Sequence, residues 1–251
     1  MAFNVSTEER RRAEQRRWLL SGEQVKVVES YEYLGTILSS DGLSWKPHLK
    51  KVIASAERRS ADLLWMCRVD KGLRPRTAVT LWQALVRPIL EYASELWSGH
   101  IPGYLVDQAE KVQMIFLQGT LGLHGNGSGV PDEMVRAEAG CERFQDRWAK
   151  LRLGYWRRIF ISPHNRLLRV VAQYRNRERI EAKGSARGSK GWLPSAEITL
   201  TTHGMPECWT DTQAVRAVLP AEWKAKCFQA VDKNSNQSRQ ERMSGMPSAV
   251  A

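Results

Sequence analysis

Four cysteines and five histidines are the residues with which this chain could hold a metal or attack a substrate, and their spacing serves neither purpose. Cys67, Cys141, Cys208 and Cys227 lie far apart with no C-x-x-C. That pattern points to neither a zinc ribbon nor a disulfide framework, and the thiols read as reduced. His203 and Cys208 fall near Cys227 but are too few, at the wrong spacing, for a structural zinc site. No two aspartates are adjacent, so the paired-acid, two-metal centre of a polymerase or nuclease has no motif here. Asp41, Asp62, Asp70 and Asp107 fall in turns or on helix surfaces. G-x-S-x-G and H-E-x-x-H are absent, and GNGSG at 125–129 lacks the Lys-Ser/Thr and the preceding strand of a phosphate cradle. The residues describe a binding module, with no catalytic group, no metal ligand and no cofactor.

What remains is charge. Against 27 acidic residues stand 38 Lys and Arg, a formal net charge of +11 that favours a polyanionic partner. Lys50, Lys51, Arg58 and Arg59 are placed for such a partner, because they fall on the back of a helix expected from Trp45 to Arg68. Its buried face is Leu49, Val52, Ile53, Ala56, Ser60, Leu63, Leu64 and Cys67, at 3-4 spacing. Ser44 is in position to cap it, with Pro47 in the first turn.

The elements around that helix follow from pattern. Residues 1–17 are a charged N-terminal segment, with Glu8 to Arg17 almost devoid of an apolar face. From 18 to 42, Trp18–Leu20, the Ser21-Gly22 turn, the alternating valines 25, 27 and 28 and the run YEYLGTIL at 31–38 predict a three-strand ribbon. It is too small to stand unaided and must pack on the helices. Residues 43–180 read as a helical domain. Its further helices are expected from Pro75 to Trp97, split near Pro88, from Tyr104 to about Gly119, from Asp132 to Ala139, from Arg143 to Phe160 and from Asn165 to Arg179. A basic Gly/Ser linker at 181–191 leads to a small helical segment at 192–233, with helices expected at Thr210 to Leu219 and after Pro220, and a disordered polar tail at 234–251. The fold class expected is mainly α: a helical bundle with a small N-terminal antiparallel β-ribbon and a loosely structured C-terminal segment. No run approaches the ~18 apolar residues of a membrane span, and the N-terminus has no apolar signal core. An intracellular protein is expected, nuclear or cytoplasmic and not secreted.

Five strings in order resemble the C-terminal part of a non-LTR (LINE-type) retrotransposon reverse transcriptase: YEYLGTIL at 31–38, WKPH at 45–48, LWQALVRPILEYASELW at 81–97, EKVQMIFLQGTLGL at 110–123 and EAGCERFQDRWAKLRLGYWRR at 138–158. The resemblance covers roughly residues 15 to 175 and fades beyond 180. It implies that Tyr33, Leu34 and Gly35 belong to the strand-turn element called the primer grip, and that the helices after it are thumb-like. It implies a fragment that holds a primer-template duplex, with the catalytic palm and its carboxylates missing, and hence no polymerase activity; Mg2+ would be needed only by that palm. The partner implied is nucleic acid, an RNA:DNA hybrid or RNA held without regard to sequence, together with the palm of an intact element. Lys50, Lys51, Arg58 and Arg59 would then meet phosphates, while Trp82, Tyr92, Trp97, Gln113 and Trp156 are framework. The alternative is a structural or protein-interaction helical module, or a non-functional relic with no specific ligand.

Overall fold

The computed structural model describes residues 11–244 apart from 13–14, 17, 27, 41–43, 70–71, 100, 124–128, 162–165, 182–191 and 211. The chain is a mainly helical bundle carrying a small N-terminal antiparallel β-ribbon. Most of Glu8 to Arg17, nearly all of the Gly-rich loop at 125–129, the 181–191 linker after Glu181 and the last seven residues lie outside the described residues.

The ribbon differs from the expected three strands. It is two separate hairpins: β1 (Leu19–Leu20) pairs with β2 (Glu23–Gln24), and β3 (Ser30–Tyr33) pairs with β4 (Thr36–Ser39). The run that reads as one strand folds back on itself at Leu34-Gly35, placing Tyr33 opposite Thr36 and Tyr31 opposite Leu38. Leu34 and Gly35 have φ of 47° and 76°, and Ser21 and Gly22 repeat the pattern at 53° and 87°. Positive φ at both central residues is the two-residue turn whose twist suits a hairpin.

Seven helical segments build the first half of the body: α1 (Lys46–Arg68), α2 (Pro75–Leu85), α3 (Arg87–Glu91), α4 (Ser94–Trp97), α5 (Gly103–Thr120), α6 (Asp132–Ala139) and α7 (Phe144–Ile161). Trp45, not Ser44, takes the N-cap position of α1, with Pro47 in its first turn and no side-chain cap. The expected break near Pro88 comes two residues earlier, at Val86, and a second break follows at Ala93, whose φ is 54°. The first core lies between α1, α2, α5 and the start of α7, around Leu49, Ile53, Trp82, Trp97, Phe116 and Trp148. Its indole N–H groups are all satisfied: Trp82 donates to Ser60 Oγ at 2.9 Å, Trp97 to the Tyr92 carbonyl at 2.9 Å and Trp148 to the Leu90 carbonyl at 2.9 Å.

The remaining helices are α8 (Arg166–Glu181), α9 (Trp192–Thr202), α10 (Glu207–Thr210), α11 (Thr212–Ala217) and α12 (Pro220–Ser244). A second core forms among them and the far half of α7, from Leu153, Trp156, Phe160, Leu200, Trp209 and Trp223. The change of core therefore falls inside α7, between Trp148 and Leu153, rather than at the linker. The tail expected from Asn234 is helical as far as Ser244, held where Ser235 Oγ donates to Asp146 at 2.7 Å and Arg239 meets Glu133 at 3.6 Å.

Candidate nucleic-acid interface

In the β3–β4 hairpin β3 is exposed throughout while β4 is half-buried, with Thr36 buried, and polar anchors fix the hairpin to the bundle. Tyr92, freed from helix geometry by the break between α3 and α4, donates its hydroxyl to the Leu34 carbonyl at 2.6 Å. The Ile37 N–H donates to His48 Nδ1 at 3.4 Å, and Lys51 Nζ meets Glu32 Oε1 at 2.6 Å. Gly35 is accounted for by the turn. A Cβ there would sit 3.5 Å from the Tyr92 ring, an ordinary contact, so its φ and not a close approach demands glycine.

At the hairpin tip Leu34 is 72% exposed in a left-handed conformation, and Tyr31 and Tyr33 project on one exposed face. The αR-to-αL change costs a residue with a Cβ on the order of 1–2 kcal/mol, and Leu34 recovers little of that by burial.

Lys50, Lys51, Arg58 and Arg59, four of the six cations of α1, are all exposed, but they do not share one line. At roughly 100° per residue, Lys51 and Arg58 stand two turns apart on the same stripe, and Trp65, 68% exposed, continues it two turns further. Lys50 lies to one side of that stripe and opens onto a groove shared with α5, whose lining also holds Glu57 and Lys111. Arg59 lies about 100° from Arg58 on the other side. Among the described residues Lys50, Arg58 and Arg59 make no ion pair, whereas Lys51 is engaged with Glu32. That pair is half exposed on both sides, so it contributes little and yields readily to a phosphate.

Three members of this surface are missed by sequence reasoning. Trp65 falls on the solvent side of the expected α1 wheel, which was the available signal. Tyr31 lies beside Tyr33 in the pleat alternation, within the quoted YEYLGTIL string. Tyr92 reads as framework, and its role in seating Leu34 depends on a chain reversal that no local pattern marks.

His48 is fully buried, edge-on to Trp45 and Trp97 at ring separations of 6.3 and 6.1 Å. Because Nδ1 accepts a backbone N–H, the ring is neutral and carries its proton on Nε2. Burial holds its pKa below the ordinary 6.5, with Lys51 adding to the effect and Glu32 opposing it. His203 is lowered in the same way by burial, against the pull of Asp146. Above pH 6.5 both rings are neutral whether the chain is folded or not, so stability is at its full value. As the pH falls below 6.5 the unfolded chain takes up protons that the folded chain resists, and stability declines until the folded pKa values are reached. An NMR titration of the imidazoles checks this: the expected His48 midpoint is below 6.5, and a midpoint above it contradicts the buried neutral ring.

No group of three or more His, Cys, Asp or Glu side chains that could hold a metal occurs among the described residues. All four cysteines are free, and burial pushes the Cys227 thiol up to about 12. Asp62 and Asp107 lie exposed on α1 and α5; Asp41 and Asp70 are outside the described residues. No helix among the described residues is long and apolar enough to cross a membrane. Comparison with protein-family models, curated proteins and solved structures gives no match to this chain.

Proposed function

We propose that this chain is a non-catalytic module that holds an RNA:DNA hybrid or RNA through its phosphate backbone, as expected of the thumb-side segment of a LINE-type reverse transcriptase that it resembles. It acts inside the cell, in the nucleus or cytoplasm, with no metal or cofactor of its own. The observation that carries this reading is the α1 stripe, on which Lys51, Arg58 and the exposed indole of Trp65 succeed one another beside a strained, exposed hairpin tip. Lys51 to Trp65 spans about 21 Å of helix. Cations along such a row meet successive phosphates, which gives affinity without sequence information. An exposed aromatic at its end offers a face on which an unpaired or terminal base of any identity can stack. Strain at an exposed residue is a recurrent mark of functional sites, and Leu34 fits that pattern.

Equilibrium titration of labelled RNA:DNA hybrids of unrelated sequence tests the reading. Affinities agree within about twofold, as expected for backbone contacts that cannot see the bases. A strong preference for one sequence, or no binding beyond that of an unrelated protein of equal charge, contradicts it and returns the chain to a structural or protein-interaction role.

A further inference from the structure

Arg152, on α7, is 4% exposed, and its environment differs from that of the other buried cations. Arg136 has Glu110 at 3.2 Å, and Lys150 has Glu142 at 2.9 Å and Asp232 at 2.7 Å. Arg152 has no carboxylate partner among the described residues. Its Nη1 donates to Ser195 Oγ at 2.6 Å and Thr199 Oγ1 at 3.2 Å, and its Nη2 donates to Ser98 Oγ at 2.8 Å. Three neutral hydroxyls therefore stand where a counter-ion is expected for a charge taken out of water. Burial lowers the guanidinium pKa to about 10, which still leaves it charged at neutral pH.

The backbone makes room for this cation. A Cβ on Gly99 would fall 1.8 Å from Arg152 Nη1 and 1.6 Å from Ser195 Oγ, so only glycine permits the guanidinium to lie there. Beside it is a cavity of about 420 Å3 between α4, α5, α7, α9 and α12, with Arg143 and His203 also in its wall. Thr199 gives its own proton to the Ser195 carbonyl, and Arg152 Nε and Arg143 Nε, though without an acceptor, are closed off from the cavity space. The oxygens of Ser98 and Ser195 already accept from the guanidinium, which leaves their protons to point elsewhere. Asp146, the carboxylate of the lining, is engaged by the Ser235 hydroxyl.

From this juxtaposition of an uncompensated buried guanidinium, spare donors and an adjoining cavity, we infer that the cavity binds a small phosphate oxyanion. A phosphoryl group supplies several acceptors and the missing negative charge together. The cavity volume is in the range of small-molecule sites. This inference does not rest on the nucleic-acid reading, because the α1 stripe contributes no residue to the lining.

The test follows thermal unfolding of the whole chain against inorganic phosphate and against pyrophosphate, with sodium chloride at matched ionic strength. The expected response is a rise of roughly 5 °C when the anion is a hundredfold above its Kd, growing with the logarithm of anion concentration. A rise that grows in proportion to concentration is the general effect of an excluded salt and overturns the inference. So does a response equal to that of chloride. Arg152→Gln abolishes the logarithmic rise. Because that variant can fail to fold, Ile198→Trp provides a second route: Ile198 lines the cavity and is 47% exposed, so a larger ring blocks the space from its rim. A logarithmic rise that survives Ile198→Trp unchanged places the anion elsewhere and overturns the assignment. Comparing pyrophosphate with a 5′-phosphorylated dinucleotide and its unphosphorylated counterpart distinguishes a free anion from a nucleic-acid end as its source.

Discussion

Changing Trp156 to alanine lowers the unfolding free energy by about 3–5 kcal/mol, the usual range for removing a large aromatic from a packed core. Trp156 is fully buried at the centre of a three-indole stack, 6.0 Å from Trp192 at 23° and 5.0 Å from Trp209 at 24°, with Phe160 edge-on at 4.7 Å. Its Nε1 donates to the Cys208 carbonyl at 3.3 Å, so truncation also strands a buried acceptor. The neighbouring indoles come from α9 and α10 and cannot collapse into the gap without moving both helices. Because α7 belongs to both cores, the loss is felt throughout the chain. Urea unfolding therefore shows one transition with a much lower midpoint. A change below about 1 kcal/mol, or early melting of residues 192–244 alone, contradicts the shared role of α7.

The second large effect is on binding. Lys51→Gln combined with Arg58→Glu removes both cations of the stripe and reverses one of them. It weakens hybrid binding roughly a hundredfold, equally for all sequences, and makes the salt dependence shallower by about two contacts. Both residues are exposed, so folding is little affected. The proper control is Lys233→Gln with Arg216→Glu, which changes net charge by the same amount at exposed positions on α12 and α11. It is expected to cost only a few-fold. Arg59→Glu alone has less effect than Arg58→Glu, because Arg59 projects to a different side of α1. Equal losses from the stripe and the control pair mean that charge, and not this surface, holds the ligand.

The α1 core face is legible from spacing: Leu49, Val52, Ile53, Ala56, Ser60 and Leu63 are buried, and Leu64 and Cys67 are half-buried. The short helix at 132–139 and its glycine stop are legible too, with Gly140 in the left-handed conformation at φ 62°. The hairpin turn is not, because Leu-Gly lacks the Asn or Asp that ordinarily announces such a turn. Nor is α9. WLPSAEITLTT carries a proline and β-branched residues that argue against a helix, and burial of Pro194, Ser195, Ala196, Thr199 and Leu200 overrides them. α12 outlasts its apolar residues because Ser235 and Arg239 are tied to side chains roughly ninety and a hundred positions away, a cause invisible to any local window.

The candidate surface divides along the same line. Exposure of Lys50, Lys51, Arg58 and Arg59 follows from helix period alone, and all four are exposed. Which of them share a stripe also follows from period, but that Lys51 is held by Glu32 depends on the hairpin lying against α1. On α7 helical spacing marks an apolar face of Phe144, Trp148, Leu151, Tyr155 and Ile159, of which Phe144, Trp148 and Ile159 are buried and Leu151 and Tyr155 half-buried, yet Lys150 and Arg152 are buried as well. Their burial comes from α9 and α12 closing over a second face of the helix, which charge and periodicity cannot foretell.

The most direct measurement of the central claim is the affinity of the wild-type chain for an RNA:DNA hybrid as a function of salt. Lys51 and Arg58 on the stripe, with Lys50 beside it, make about three phosphate contacts and predict a log–log slope of about −3, and hence an affinity that falls by well over tenfold between about 50 and 200 mM salt. An affinity that does not change across that range contradicts the proposal that this chain holds nucleic acid by its backbone.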